Sequence, residues 1–514
     1  MATKKKAAVK KTAAKKTSAK KTSVEKPPAT KAGGGASTAG LRVRMYRVGF
    51  GDFFLLTVPA SGGPHHILID CGVTPGTTHK GDIGTIKDAV AHMAKETNNT
   101  LALVIMTHRH MDHIIGFSRC ADVFKNFKVG AIWMPFWETE YDAQGNKSAA
   151  SKFQDDLTAL AFSVQQHLAL SAGANDDVDE MLGMLRNATG VDHEAGPMAA
   201  AAAGGTASKT GSGGGSNAAS LALLKTGLGV KPEYYARGDE PKIPPPLAAA
   251  GLTAEILGPP PEDTATTFMK LTDLKKGVGQ YLGAGTGGGN RKTFDPFGSW
   301  HVGANDYPRT AFREWERTAK ATGDSPSHEL EKAVQRAQPD LLFTAVKSLD
   351  SFLNNQSLVV LFTVQGKKLL FVGDAQAGNW EYWMYGGTPN TAPSIDKLTA
   401  EGKTILGNLD FYKVGHHGST NATPVTAVEA MGGDFAALCS TQEDSYGNPQ
   451  KGTEVPRDPL LAALAKKSAL VRSDEIPVSQ NGNTVPAISG APKALPQPAR
   501  GRYEVGPIYI DYLF

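Results

Sequence analysis

The chain has 514 residues, 40% of them hydrophobic, and a formal net charge of +4; that is enough for one large domain with insertions or for two or three domains. Its three cysteines, Cys71, Cys120 and Cys439, lie far apart with no CxxC pair, which argues against a disulfide framework or a zinc finger and points to a reducing compartment. No run of about 18 apolar residues is present, and the basic N-terminus lacks the apolar core of a secretory signal. A soluble, cytoplasmic protein with no membrane partner is expected.

The charge is unevenly placed. Residues 1–40 carry eleven lysines against a single acid, Glu25, so the tail stands at +10 and the rest of the chain at −6. Lys-Lys pairs at 10/11, 15/16 and 20/21 recur every five residues, and a five-residue step turns a helix by about 500°, so the pairs line no common face. With few apolar groups to offset ordering entropy, the tail is expected to be disordered. Its composition resembles the lysine- and alanine-rich tails of linker-histone-like bacterial proteins. One reading is phosphate neutralisation on nucleic acid or another polyanion, with nucleoid association and an affinity that falls as salt rises; the other is a solubilising tail.

Order is expected to begin near Leu41. The runs "LRVRMYRVGFGDFFLLTV" and "HHILIDCG" read as strands separated by the turn-rich "PASGGP", and "LALVIMT" reads as a third, buried strand. Between the last two, "DIGTIKDAVAHMAKETNN" has helical spacing and a stop at Asn-Asn. From residue 139 to 340 the character changes. Helical patches such as "DDVDEMLGMLRNA" and "TAFREWERTAKA" alternate with "MAAAAAGGTASKTGSGGGSNAAS" and "GAGTGGGN", which have the composition of flexible links. This span is expected to be an insertion, part lid and part disordered. Strand signals return in "SLVVLFTVQGKKLLFVGDA", two runs around a Gln-Gly turn, and then in "LDFYKVGHHGST"; "RYEVGPIYIDYLF" reads as a final strand. Strands alternating with helices predict an α/β layered fold, its core split between residues 41–138 and 341–514.

The chemistry concentrates in "LVIMTHRHMDHIIGF", residues 103–117, where an apolar stretch runs into His108, His110, Asp112 and His113. Imidazoles and carboxylates are costly to bury unless paired or bound to metal. Side chains two apart on a strand share a face, so His108 and His110 can address one metal while the following turn swings Asp112 and His113 toward a second. A two-metal site needs a bridging carboxylate and ligands from elsewhere in the fold. Asp374 in "LLFVGDA" and His416/His417 in "YKVGHHGS" are placed for this, each directly after an apolar strand. An isolated HxHxDH would also suit a polar surface loop, but three ligand-bearing segments at strand exits favour a metal centre.

HxHxDH after an apolar strand, "ILIDCG" before it, and "LLFVGDA" and "HHGS" after it together resemble the metallo-β-lactamase fold superfamily. "RVGFGDFFLL", "NNQSLVVLF", "LLFVGDA" and "YKVGHHGST" look most like the soluble hydrolase domain of its ComEC-like, competence-type DNA-uptake branch. The resemblance spans residues 41–135 and 350–425. It implies an αββα four-layer sandwich with a metal site at one edge of the paired sheets. It also implies that His108 and His110 bind one divalent metal and Asp112 and His113 the other, with Asp374 bridging. Zinc is the default ion, and manganese or iron also suits the mixed ligation. His417 is assigned to the metal and His416 to substrate contact. Asp70 in "ILIDCG" matches a carboxylate that braces the histidine loop from behind. Asn355 and Ser357 are candidates for substrate contact or for capping a strand start. Ser419 and Thr420 are candidates to donate to a phosphate or to cap a turn. Trp133, Phe136 and Trp137 would either stack on a substrate base or pack against the insertion.

The sequence departs from the family pattern in one respect. Many superfamily members carry a further metal-binding histidine between HxHxDH and the bridging aspartate. Here His167, His193, His301 and His328 all fall in the insertion, with His301 in "SWHVG" the best placed. One metal is then short of ligands. The expected activity is hydrolysis by a metal-activated water, with Asp112 orienting that water or accepting its proton and a phosphodiester or nucleic acid as substrate. Lactam, thioester or other ester hydrolysis on the same site is an alternative, and so is a nucleic-acid-binding protein with a structural metal site.

Overall fold

The apolar runs after Leu41 form the centre of a large mixed sheet. The computed structural model describes residues 40–74, 84–141, 145–148, 176–189, 216–261, 346, 350–387, 394–443, 445–447, 454–475, 478–480, 483–485 and 495–514. The basic tail, "TAFREWERTAKA", "GAGTGGGN", most of the first Gly/Ser/Ala link and His167, His193, His301 and His328 lie outside the described residues. In the first sheet β1 (Arg42–Tyr46), β2 (Phe54–Val58) and β3 (His65–Ile69) run antiparallel, with Met45 opposite Phe54 and Phe54 opposite Ile69. Three parallel strands continue it: β4 (Leu103–Ile105), β5 (Ile132–Pro135) and β6 (Glu233–Tyr235).

The second sheet has six strands. β7 (Thr253–Gly258), β8 (Val359–Val364) and β9 (Lys367–Phe371) are antiparallel neighbours, and β10 (Phe411–Lys413), β11 (Phe435–Cys439) and β12 (Ser468–Arg472) follow in parallel. The chain then returns to the first sheet through β13 (Arg502–Val505) and β14 (Tyr509–Leu513), where β14 pairs with β1 and completes eight strands. The molecule is therefore mixed α/β.

Three sequence expectations change in detail. Residues 41–58, read as one strand, make the β1–β2 hairpin, because the chain reverses around Gly49 at φ 106°. Residues 502–514 are likewise a hairpin, broken at Gly506-Pro507, where proline has no N–H to give a ladder. Strands β6 and β7 both fall inside 139–340, so that span supplies an edge strand to each sheet. The Gln-Gly turn between β8 and β9 holds Gln365 and Gly366 at φ 52° and 72°, the paired positive φ of a two-residue hairpin.

Alternation along the strands sorts the core into three clusters. Leu56, Ile67 and Ile69 of the first sheet and Phe362, Leu369 and Phe371 of the second share one cluster. The opposite face of the first sheet, with Leu55, Leu68 and Val104, packs on α1 (Ile86–Glu96) and α2 (Met111–Arg119). The opposite face of the second, with Leu361, Leu370 and Tyr412, packs on α5 (Ala377–Met384), α6 (Ala400–Gly407), α7 (Val425–Ala430) and α8 (Asp458–Ala465). Within the 139–340 span lie α3 (Asp176–Thr189) and α4 (Asn217–Ala222). Helix α1 has Thr85 as its cap, accepting from the Asp88 N–H, and ends before Asn98 and Asn99, both left-handed, as the Asn-Asn stop predicts. Trp133 is fully buried in the cluster shared by the sheets, edge-on to Tyr235, so it cannot stack on a substrate. Among the described residues no helix is long and apolar enough to cross a membrane.

Candidate metal centre

Most of the polar residues singled out in the sequence follow the carboxyl end of a strand with a parallel neighbour: Asp70 after β3, His108 and His110 after β4, Asp374 after β9, His416 and His417 after β10. Open α/β sheets commonly collect function at that end. Close backbone approach brings the segments together. A Cβ on Gly72 would lie 2.1 Å from the Asp112 carbonyl carbon, and one on Gly373, at φ 53°, would lie 2.8 Å from Thr107 Cβ. Only glycine fits such contacts. The Asp52 N–H donates to the Asp112 carbonyl at 2.8 Å, Cys71 N–H to the His113 carbonyl at 2.7 Å, and Leu358 N–H to the Thr107 carbonyl at 2.9 Å.

Asp112, His113, Asp374 and His417 are all buried, and a ligand atom from each lies within 4.8 Å of the others. The imidazoles share a pattern. His113 Nδ1 sits 2.7 Å from Asp70 Oδ2 and His417 Nδ1 sits 2.8 Å from the Ser440 carbonyl oxygen, so each turns Nε2 inward. His113 Nε2 is 3.1 Å from Asp374 Oδ2, while His417 Nε2 is 3.2 Å from Asp112 Oδ2 and 3.5 Å from Asp374 Oδ2. Asp374 Oδ1 accepts the His416 N–H at 3.1 Å, which leaves Oδ2 to face the rings. His108 packs on His113 with centroids 4.1 Å apart and on His110 at 4.8 Å. The Nε2 atoms of His108, His110, His113 and His417, together with Asp112 Oδ1, are buried with no hydrogen-bond partner. Buried polar atoms normally have partners, and Nε2 aimed inward with Nδ1 held from behind is how proteins present histidine to a metal.

The charges agree with that reading. Burial lowers His108 well below its ordinary value and brings His110 to about 4. Burial also opposes charge on His113 and His417, but Asp374 outweighs it and raises both, helped by Asp70 at His113 and by Asp52 at His417. Burial works against the Asp112 carboxylate too, yet His417, with Nε2 3.2 Å from Oδ2, and the His113 charge bring it to about 2. The carboxylates thus draw protons onto two imidazoles in place of a cation. Oxygen and imidazole donors of this kind can hold a divalent metal ion.

The remaining candidates take distinct positions. Asp70 lies behind the histidine loop, accepting from the Thr107 N–H at 2.8 Å and the Thr107 hydroxyl at 2.6 Å as well as facing His113. Asn355 and Ser357 are fully buried: Asn355 Oδ1 accepts from Asn379 N–H at 3.0 Å, and Ser357 Oγ accepts from Asp374 N–H at 3.0 Å. Ser419 Oγ is engaged with Asn421 Oδ1 and His416 Nδ1. His416 and His417 are both left-handed, at φ 43° and 51°, and both direct Nε2 toward Asp374 Oδ2. His417 is fully buried, whereas the His416 side chain is 19% exposed with Nε2 3.9 Å from Asp374.

Sequence reasoning missed several neighbours. Lys413 is buried in an ion pair with Asp52, lies 3.5 Å from Asp374 Oδ1, and donates to the Gly373 carbonyl at 3.0 Å. Burial opposes its charge, but Asp52 and Asp374 outweigh it and raise its pKa. Lysine inside the apolar "DFYKVG" and aspartate in "GFGDFF" were the available signals. Asn187 of α3 accepts the Asp112 N–H at 3.1 Å, and Asn217 of α4 donates to the Arg109 carbonyl at 2.8 Å and the Asn187 carbonyl at 3.0 Å. Part of the 139–340 span therefore fastens directly onto the histidine loop.

Among known proteins, no family model matches the chain and no curated protein matches it at a significant level. The molecule itself presents a sheet-rich α/β core with a buried His/Asp cluster able to bind metal, compatible with a metallo-hydrolase.

Proposed function

We propose that this protein is a metal-dependent hydrolase of the metallo-β-lactamase superfamily, a helix–sheet–sheet–helix sandwich that cleaves phosphodiesters. The observation that carries the reading is the convergence of Asp112, His113, Asp374 and His417 while inward Nε2 atoms lack hydrogen-bond partners. These four residues would hold a divalent cation, with zinc favoured by the donor set, and His108 and His110 flank it. Bound metal of this kind supplies a water that ionises near neutral pH and positive charge beside the attacked oxygen. Asp112 is ionised at neutral pH, and its Oδ1, which has no hydrogen-bond partner, is available to take the proton of the attacking water. His416, with Nδ1 2.8 Å from Asn421 Oδ1, keeps Nε2 for a substrate oxygen. Lys413 fixes Asp374 from behind, a role suited to a lysine whose buried charge is already paired.

The substrate class is argued from charge. Cations with imidazole donors suit a phosphodiester, and eleven lysines in residues 1–40 suit a polyanion such as nucleic acid. On this reading the protein acts beside nucleic acid in the cytoplasm. The test is turnover of bis(p-nitrophenyl) phosphate and of long DNA by protein of measured metal content, with and without residues 1–38. Metal-dependent turnover of the small ester by both forms, with weaker DNA binding and a shallower salt dependence in the shortened one, is the expected result. Metal-loaded protein that cleaves a lactam or thioester but neither phosphodiester would overturn the substrate assignment.

A further inference from the structure

We infer that Asp350 is a metal ligand on the His108/His110 side of the centre, standing in for the histidine that the sequence lacks between HxHxDH and Asp374. The inference rests on the metal-hydrolase reading and adds a residue to it. Asp350 Oδ1 lies 3.8 Å from His110 Nε2. That is too long for a hydrogen bond, and His110 Nε2 indeed has no hydrogen-bond partner, nor does His108 Nε2. Two atoms that share one ion at about 2.0–2.2 Å each, in tetrahedral arrangement, lie roughly 3.3–3.6 Å apart. The separation of Asp350 and His110 is within a few tenths of an ångström of that range.

The carboxylate is also aimed. Residues 350–355 are helical, so Asn354 stands one turn beyond Asp350, and its Nδ2 donates to Asp350 Oδ2 at 3.1 Å. That bond turns Oδ1 toward His110, the kind of orienting contact that supports ligands at metal sites. Asn354 is fully buried, and Phe352 of the same turn packs edge-on against Trp137 at 5.2 Å. At the far end of the segment Ser357 holds the Asp374 N–H. One short stretch thus ties the proposed ligand to the shared carboxylate, and the Asp350 side chain, 19% exposed, lies where an ion could reach it.

The experiment is titration of full-length protein with cobalt(II), read by absorption spectrum and by bound metal per chain, on wild type, Asp350→Asn, Asp350→His and Asp374→Ala. Wild type should bind two equivalents. Asp350→Asn should keep the first and lose the second, or bind it at least about tenfold more weakly, with an unchanged far-ultraviolet circular dichroism spectrum. Asp350→His should restore the second with a spectrum shifted by the extra nitrogen. Asp374→Ala should impair both. Two equivalents of unchanged affinity in Asp350→Asn would overturn the inference and leave the metal-hydrolase reading standing. A wild-type protein that binds a single equivalent, unaffected by Asp350→Asn, would do the same. Wild type that binds no cobalt would overturn both readings together.

Discussion

Where β1 meets β14, Arg44 is buried like the histidines of the candidate metal centre, yet its surroundings are of another kind. Its Nε and Nη2 each lie 2.7 Å from an Asp511 oxygen, its guanidinium sits 3.4 Å from the centre of the Tyr509 ring, and Glu96 stands 3.5 Å from Nη1. Charge there is matched by charge within the chain, in the bidentate geometry arginine favours. At the His113 corner the carboxylates and imidazoles are close but mismatched, and four ring nitrogens lack hydrogen-bond partners together, whereas Arg44 leaves only Nη1 without one and sets it beside the Glu96 charge. The contrast teaches that buried charge alone does not mark a functional site. An excess of lone pairs over protons does, because it calls for a ligand from outside the chain.

The strongest way to break that contrast is to remove one group from each corner. Asp112→Ala should lower hydrolysis by about 10³-fold or more and reduce bound metal, with the fold retained by circular dichroism. Activity within a few-fold of wild type would mean that the corner does no chemistry. Asp511→Ala should do the reverse, leaving metal content unchanged while destabilising the protein by about 3–5 kcal/mol in denaturant unfolding, since it strands a buried arginine. Loss of metal in that variant would collapse the distinction.

A smaller effect sharpens it. His66 is buried on β3, with Nδ1 3.2 Å from Thr57 Oγ1, and burial, aided by the Arg42 charge, lowers it to about 4. Its neutral form is the one the fold prefers, so the unfolded chain binds the extra proton first. Stability from this group is complete above about pH 6.5 and is lost as pH falls toward 4, at roughly 1.4 kcal/mol per pH unit. Unfolding of metal-loaded wild type and His66→Gln across pH 7 to 4 should show that slope in wild type alone. Equal slopes would show that His66 is solvated in the folded state.

The parts of the site that could be seen in the chain were those whose signal is local. His108, His110, Asp112 and His113 stand in one short run, and Asp374 and His417 directly follow apolar strands, so residue type and position both spoke for them. Asp52 and Lys413 gave only a lone charge within an apolar run, and Asp350 gave less still. Each is a single charged residue whose meaning comes from a partner far along the chain: Asp52 from Lys413, Asp350 from His110. The fold follows the same rule. The β8–β9 hairpin was legible from Gln-Gly, whereas β6 and β7, short runs of three and six residues inside a Gly/Ala-rich span, become strands only because a sheet edge is there to receive them. Trp133, for which the sequence leaves open substrate stacking or packing against the insertion, is placed in the core by the strand's alternation.

The left-handed pair at His416 and His417 has a consequence for how this centre can diversify. Holding two adjacent non-glycine residues there costs about 1–3 kcal/mol each, and in return neighbours in sequence reach the same Asp374 oxygen from different depths, His417 fully buried and His416 partly exposed. The buried ring must stay constant for the proposed centre to exist at all. The partly exposed ring is under no such obligation: on the proposed hydrolase reading, position 416 can be exchanged to admit a different leaving group or a bulkier ester while its neighbour remains in place, so selectivity and ion retention would evolve on separate residues that are one peptide bond apart.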